Sequence, residues 1–362
     1  MLVKNCEVRL TDLLVADQYE VFDPHYAYLP TTKELRRLLR MNLSFGWIRD
    51  EDVAAWTELT NHLAVVDGSD EFYEAEDLLE ELHEPGVEPT CDTVAIWNAE
   101  VMIGFGQIRV GQQLRDGLCR VSLGGGLLES FRRQGLGTKL LGILEEQGVS
   151  KASALYPATD LALDVWGHHA GHGAGILAES MGYTAARYFQ DMEVSPENFR
   201  QQSTDWNQDL SLKVLPFSAV SSESVRILDN EAFGDHWGST PKTVEEWKFM
   251  TSARTFRADR SLVLVGRIEP YGAEQVLSYV LASEWTPGEL YVARVGTGRA
   301  SRGRGYAAQL LSAVVQDAVA NGFTKIELSV DAQSPTGAVG LYERLGFSVI
   351  RSGIMYRKIV SV

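Results

Sequence analysis

Between Arg299 and Leu311 the chain reads RASRGRGYAAQLL, three arginines and two glycines directly ahead of an apolar run. The residues before them, Glu289–Val295, have the β-branched and aromatic content of a strand. The residues after them, Ala307, Leu310, Leu311, Val314, Val315, Ala318 and Val319, recur at the three-and-four spacing of one helix face. Arg302, Gly303, Arg304, Gly305, Tyr306 and Ala307 thus occupy a strand-to-helix turn. Such a turn leaves the first helical N–H groups bare, the helix dipole adds positive potential, and glycine removes the Cβ that would hold a ligand off. The chemistry on offer is the grip of an anion, a diphosphate above all. A helix start that needs glycine only for its turn would use the same residues, so a single copy decides nothing.

A second copy exists. Arg132, Arg133, Gln134, Gly135, Leu136 and Gly137 repeat the pattern 170 residues earlier, again before a helix-like run. Downstream, ILAESMGYTAARYFQDM (Ile176–Met192) matches GLYERLGFSVIRSGIMY (Gly340–Tyr356), each a short helix closed by Gly-aromatic and then a strand. Upstream, β-rich pairs broken by turn residues cover Asp92–Val110 and Ser261–Ala282. Each half is predicted to run strand, strand, loop, helix, strand, helix, strand. Neither GxGxxG nor GxxxxGK[ST] occurs, which excludes Rossmann and P-loop readings.

A length of 362 residues suits two domains. The polar stretch Pro196–Ser211 marks the seam. The predicted organisation is an N-terminal extension over 1–46, with a helix-like core at Thr32–Leu43, a first domain over 47–198 and a second over 212–362. A formal net charge of -16 argues against a nucleic-acid partner and would favour encounter with a cation. No window approaches 18 uninterrupted apolar residues, so no membrane partner is expected, and the N-terminus does not read as a signal peptide. The three cysteines show no CxxC spacing, and a cytoplasmic location is the natural expectation. His168, His169 and His172 are spaced as two ligands on a helix face. The nearby glycines weaken that helix and no fourth ligand is evident, so no metal is expected.

With these residues in view, the second copy, followed by GLYERLGF, and the first, followed by LAESMGY, resemble the acetyl-CoA-binding core of the GNAT acyltransferase superfamily. The tandem arrangement, VWGHHAGHGAGILAESMGY and GELYVARVG are similar to mycothiol synthase-like proteins. The resemblance implies an α/β fold class of two GNAT-like domains in tandem, each a mixed, mostly antiparallel sheet flanked by helices. It implies acetyl-CoA as donor, its diphosphate held by both loops and its pantetheine arm by backbone near Val295 and Thr297. It also implies that Tyr342 protonates the departing thiolate. The aligned residue of the first half is Ala178, which cannot, so chemistry is expected in the C-terminal half and a weak or inactive first half. Glu289 is the implied base, with Glu284, Asp235 and His236 as competitors. Asp235, His236, Trp237 and Glu284 are the expected acceptor-side residues for a small-molecule amine. The alternatives are acetylation of a cationic antibiotic or polyamine, and a coenzyme-A-binding regulatory or scaffold protein without turnover.

Overall fold

Side-chain alternation and turn chemistry shape both halves. A computed structural model describes residues 43–69, 71–201, 212–268, 272–334 and 336–361. Most of the extension, including 32–42 of its predicted helix, lies outside the described residues. Its last four, Leu43–Gly46, form strand β1.

The described residues fall into two compact units, those within 1–110, 121–163 and 360–361, and those within 111–120 and 164–359. The first contains helices α1 (Val53–Asp67) and α2 (Ala75–Leu82), strands β2 (Thr93–Asn98) and β3 (Val101–Val110), most of β4 (Cys119–Leu127) and helix α3 (Leu136–Leu155). β1, β2, β3 and β4 pair in that order, all antiparallel. Trp56, Leu59 and Leu63 of α1 and Leu78 and Leu82 of α2 close one face of the sheet over Ala95, Met102 and Phe105.

The second unit takes in the end of β5 (Leu161–Trp166), α4 (Gly173–Ser180), β6 (Thr184–Val194), β7 (Lys213–Pro216), α5 (Ser222–Ala232), α6 (Val244–Ser252), β8 (Leu262–Gly266), β9 (Gln275–Ser283), β10 (Glu289–Thr297), α7 (Tyr306–Ala320), β11 (Lys325–Asp331), α8 (Ala338–Arg344) and nearly all of β12 (Ser348–Val360). Its strand order is β12-β6-β11-β10-β9-β8-β7. The predicted helix face is the one that packs: Leu310, Leu311, Val314, Val315 and Ala318 of α7 lie against Leu264, Val280, Ala282 and Val292. On the opposite face Val225, Leu228 and Trp247 cover Val263, Val265, Tyr279 and Leu281. Both faces of β9 are therefore buried, which is why Val276–Ala282 reads as an apolar run broken only by the buried Ser278.

Packing and repeat divide the chain differently. β6 closes the first repeat in sequence, yet it pairs antiparallel with β11 from Ile326↔Val194 to Asp331↔Phe189 and with β12 from Ser348↔Glu193 to Arg357↔Thr184. The last strand of the first repeat is thus an interior strand of the second unit.

Candidate active site

The site begins where two strands part. β10 and β11 are parallel, and their register covers only Glu289↔Lys325, Leu290↔Ile326 and Tyr291↔Glu327. Beyond that point β11 continues on β6, while β10 stays on β9 through Thr297↔Ser278. Val295 and Thr297 therefore keep β9 on one side and have no β11 partner on the other. A bulge falls in the same stretch: Val292↔Ala282 is followed by Arg294↔Leu281, leaving Ala293 as the extra residue. Bulges bend a strand and raise its twist, which turns β10 away from its parallel neighbour.

β10 leads through Arg299–Ser301 into the loop and α7. Gly303 (φ +79°) and Gly305 (φ +76°) are both left-handed, and Gly305 is the N-cap without a side-chain cap. A Cβ at Gly303 would meet nothing within 4 Å, so the space in front of the loop is open. The first-turn amides of α7 thus face an open cradle, and an anion such as a diphosphate fits it.

The arginines divide their duties. Arg302 donates to the Thr297 carbonyl (3.4 Å), the Ala232 carbonyl (3.1 Å) and Asp235 (3.0 Å), and Arg299 pairs with Asp235 at 2.8 Å. These two brace the loop against the end of α5. Arg304 is exposed and has no hydrogen bond or ion pair to the described residues. Of the three, it is the one that braces nothing among the described residues. Tyr306, at the first position of α7, packs against the core.

Tyr342, on α8, is buried among the residues under α7, beside Phe347 at 5.9 Å between ring centroids. Burial pushes its phenol up to about 12. At neutral pH it is therefore protonated, the state a proton donor needs.

The acceptor-side residues separate. Glu284 receives Arg257 at 2.7 Å and the Gly288 amide at 2.9 Å, and hydrogen bonds to its ionised form hold its carboxyl below the usual range despite burial. It braces the turn before β10. Asp235 is likewise held low, first by the Arg302 hydrogen bond. His236 is half-buried and stacks on Phe233 (4.4 Å, 29°), which in turn lies under Arg294 at 3.9 Å. Burial, then the Arg294 charge, pulls His236 below its usual value, so its imidazole is neutral at pH 7. Glu289 stands at the closed end of the wedge, on the sheet face of Tyr291 and Arg294, with Lys325 at 3.0 Å. Sequence reasoning missed the buried group behind this face: Arg294 binds Asp229 through two bonds (2.6 and 2.8 Å), and Tyr279 donates to the same carboxylate.

The first copy reproduces the loop but has neither the bulge nor the tyrosine. Gly135 (φ +84°) caps α3, and Arg133 (φ +59°) takes the left-handed position that Gly303 fills in the second. Arg132 is a brace like Arg302, bound to the Leu127 carbonyl (2.7 Å) and to Asp67 (2.6 and 2.8 Å). Gln134 folds onto the Ser130 carbonyl at 2.8 Å, Leu136 is buried and Gly137 opens α3 behind it. β4 pairs with β3 without a bulge from Gly104↔Leu127 to Val110↔Val121, and Ala178 is fully buried.

His168, His169 and His172 lie together, with ring centroids 4.6 and 5.4 Å apart, but His172 accepts from the Ala174 amide at 3.3 Å and so caps α4. Among the described residues no group of His, Cys, Asp and Glu could hold a metal, and no helix is long and apolar enough to cross a membrane.

Residues 222–347 match the acetyltransferase (GNAT) family. Mycothiol acetyltransferase of Corynebacterium glutamicum is 28% identical over 219 residues, 59% of this chain and 71% of its own length. The mycothiol acetyltransferase of Thermobispora bispora is 27% identical over 234 residues, 63% of this chain and 72% of its own. Among solved structures, a GCN5-related N-acetyltransferase from Sphaerobacter thermophilus has a TM-score of 0.67 at 23% identity, over 88% of this chain and 96% of that one. A tandem GNAT protein from the clavulanic acid biosynthesis pathway has a TM-score of 0.65 at 13% identity, over 88% and 98%. The expected tandem GNAT fold is borne out, as is an N-acetyltransferase with acetyl-CoA as acetyl donor.

Proposed function

We propose, from the match of residues 222–347 to the acetyltransferase (GNAT) family, that this protein moves an acetyl group from acetyl-CoA to the amine of a small molecule, with the chemistry in the second repeat alone. The observation that carries the reading is the coincidence, in one repeat only, of the parted strands β10 and β11, the bulge at Ala293 and a buried tyrosine behind an open cradle.

Bound acetyl-CoA supplies an activated thioester. The amides of Gly303 to Ala307, helped by Arg304, hold its diphosphate, and the free edge of β10 at Val295 and Thr297 pairs with its pantetheine arm. Tyr342 gives its proton to the departing sulfur. Glu289 takes the proton of the attacking amine through water. A second reading, favoured by its neutral imidazole, gives that role to His236. Around Trp237 stand three guanidiniums, those of Arg120, Arg187 and Arg357, against the carboxylates of Asp164 and Asp331. That balance disfavours a polycationic acceptor. The names of the relatives make a mycothiol-type precursor amine the first acceptor to test.

The test is release of the coenzyme thiol from acetyl-CoA with a panel of primary amines, followed across pH in Glu289→Gln and His236→Gln. Loss of the acidic limb of kcat/KM in Glu289→Gln alone supports the carboxylate base, and its loss in His236→Gln alone transfers the role. Binding of coenzyme A with no amine turned over would turn the reading into that of a regulatory protein.

A further inference from the structure

The Trp237 ring is held by guanidiniums at 4.2 Å (Arg357), 5.0 Å (Arg120) and 5.9 Å (Arg187). None of them belongs to the acetyltransferase core at 222–347. Arg120 starts in the β3–β4 hairpin, Arg187 lies on β6 and Arg357 on β12. Two of the three converge on one carboxylate. Asp164, within β5 and with a fully buried side chain, receives Arg120 at 2.7 Å and Arg357 at 2.6 and 2.8 Å. Asp331 holds Arg187 through 2.9 and 2.7 Å bonds.

The same hairpin, residues 111–120, grips the backbone around Trp237. Arg115 donates to the Gly234 carbonyl at 2.7 Å, Gln113 to the Pro241 carbonyl at 3.2 Å, and Arg120 to the Gly238 carbonyl. Gly238 is left-handed (φ +68°), and a Cβ there would collide with the Arg120 guanidinium. A backbone held at three carbonyls and a ring held by three cations has one conformation, and the buried carboxylate of Asp164 orients two of the holders. Removing one partner of such a network leaves buried charge uncompensated and frees whatever it oriented.

We propose that Asp164 is a positioning residue for the acceptor: through Arg120 and Arg357 it fixes Trp237 and the segment 234–241 as the acceptor wall of the second repeat. This rests on the reading of Asp235, His236 and Trp237 as acceptor-side residues. It gives the first repeat a task that needs no chemistry of its own, because the hairpin 111–120, Asp164 and Arg187 all come from it.

Asp164→Asn keeps the side-chain shape and removes the charge. In the full-length protein, amide hydrogen exchange over 234–241 rises. With the primary amine that the wild type turns over fastest, the acceptor KM rises about tenfold while kcat and coenzyme A affinity by calorimetry stay within about twofold. Arg357→Lys keeps the charge, loses the paired bonds, and serves in the same assays should Asp164→Asn not fold. Unchanged exchange over 234–241 overturns positioning by Asp164. Faster exchange with an unchanged acceptor KM shows that the segment is not the acceptor wall, which overturns the acceptor reading and the proposal with it. A fall in coenzyme A affinity as large as the change in KM overturns it too, since that is general damage to the unit.

Discussion

In the proposed mechanism Tyr342 is the residue whose identity decides the chemistry, because Ala178, which aligns with it in the first repeat, has no proton to give. Tyr342→Phe keeps the ring in its packing and removes the hydroxyl. Turnover should fall roughly 100-fold or more with coenzyme A affinity unchanged; a loss read only as weaker binding would make the tyrosine a packing residue. The same substitution has a stability signature. Burial lifts the phenol to about 12, so the native state keeps a proton that the unfolded chain releases above about 10. This contribution is complete below pH 10 and is lost as pH climbs to 12, a swing of roughly 3 kcal/mol. Denaturant unfolding at pH 9 and pH 11 should therefore show a steeper loss for the wild type than for Tyr342→Phe, and equal losses would contradict the burial argument. The tyrosine and the loop glycines were legible in the sequence because each is fixed by its neighbours in the chain. The duty of Arg302 was not, since Asp235 reaches it from 67 residues away. Nothing in RASRGRG says which arginine turns inward.

At the scale of elements, the bulge separates two strands that align residue for residue. Val292, Arg294 and Val295 keep their alternate faces with or without Ala293, since Val292 and Val295 pack under α7 and Arg294 faces α5 in both cases. Deleting Ala293 should therefore leave the fold recognisable by circular dichroism while turnover falls roughly 100-fold, because β10 would lose its bend at the wedge. Turnover near that of the wild type would show that the bulge is incidental. The strands, the two loop-to-helix turns and the apolar face of α7 were readable from period and turn residues. The bulge was not, because ELYVARVGT alternates acceptably in either register and only the partner strand reveals the extra residue.

At the scale of the whole molecule, the repeat is a poor guide to what folds together. β6 ends the first repeat yet is paired on both sides inside the second unit, and strand pairing across such a distance leaves no local mark in the sequence. A chain starting at residue 212 would lack β6 and expose the edges of β11 and β12. It should aggregate or fail to show a cooperative melt, whereas one starting at Leu161 retains β6 and should stay monodisperse by size-exclusion chromatography. A well-folded 212–362 fragment would show that the second repeat is self-sufficient. The division of labour between the repeats is tested most directly by acetyl-CoA-dependent thiol release from Gly305→Glu and Gly135→Glu. Both positions are left-handed, at φ +76° and +84°, so the two substitutions carry the same backbone strain, and each puts a carboxylate at the mouth of a cradle. Gly305→Glu should abolish transfer to the best amine, and Gly135→Glu should retain most of it; equal loss from both would contradict a single working site in the second repeat.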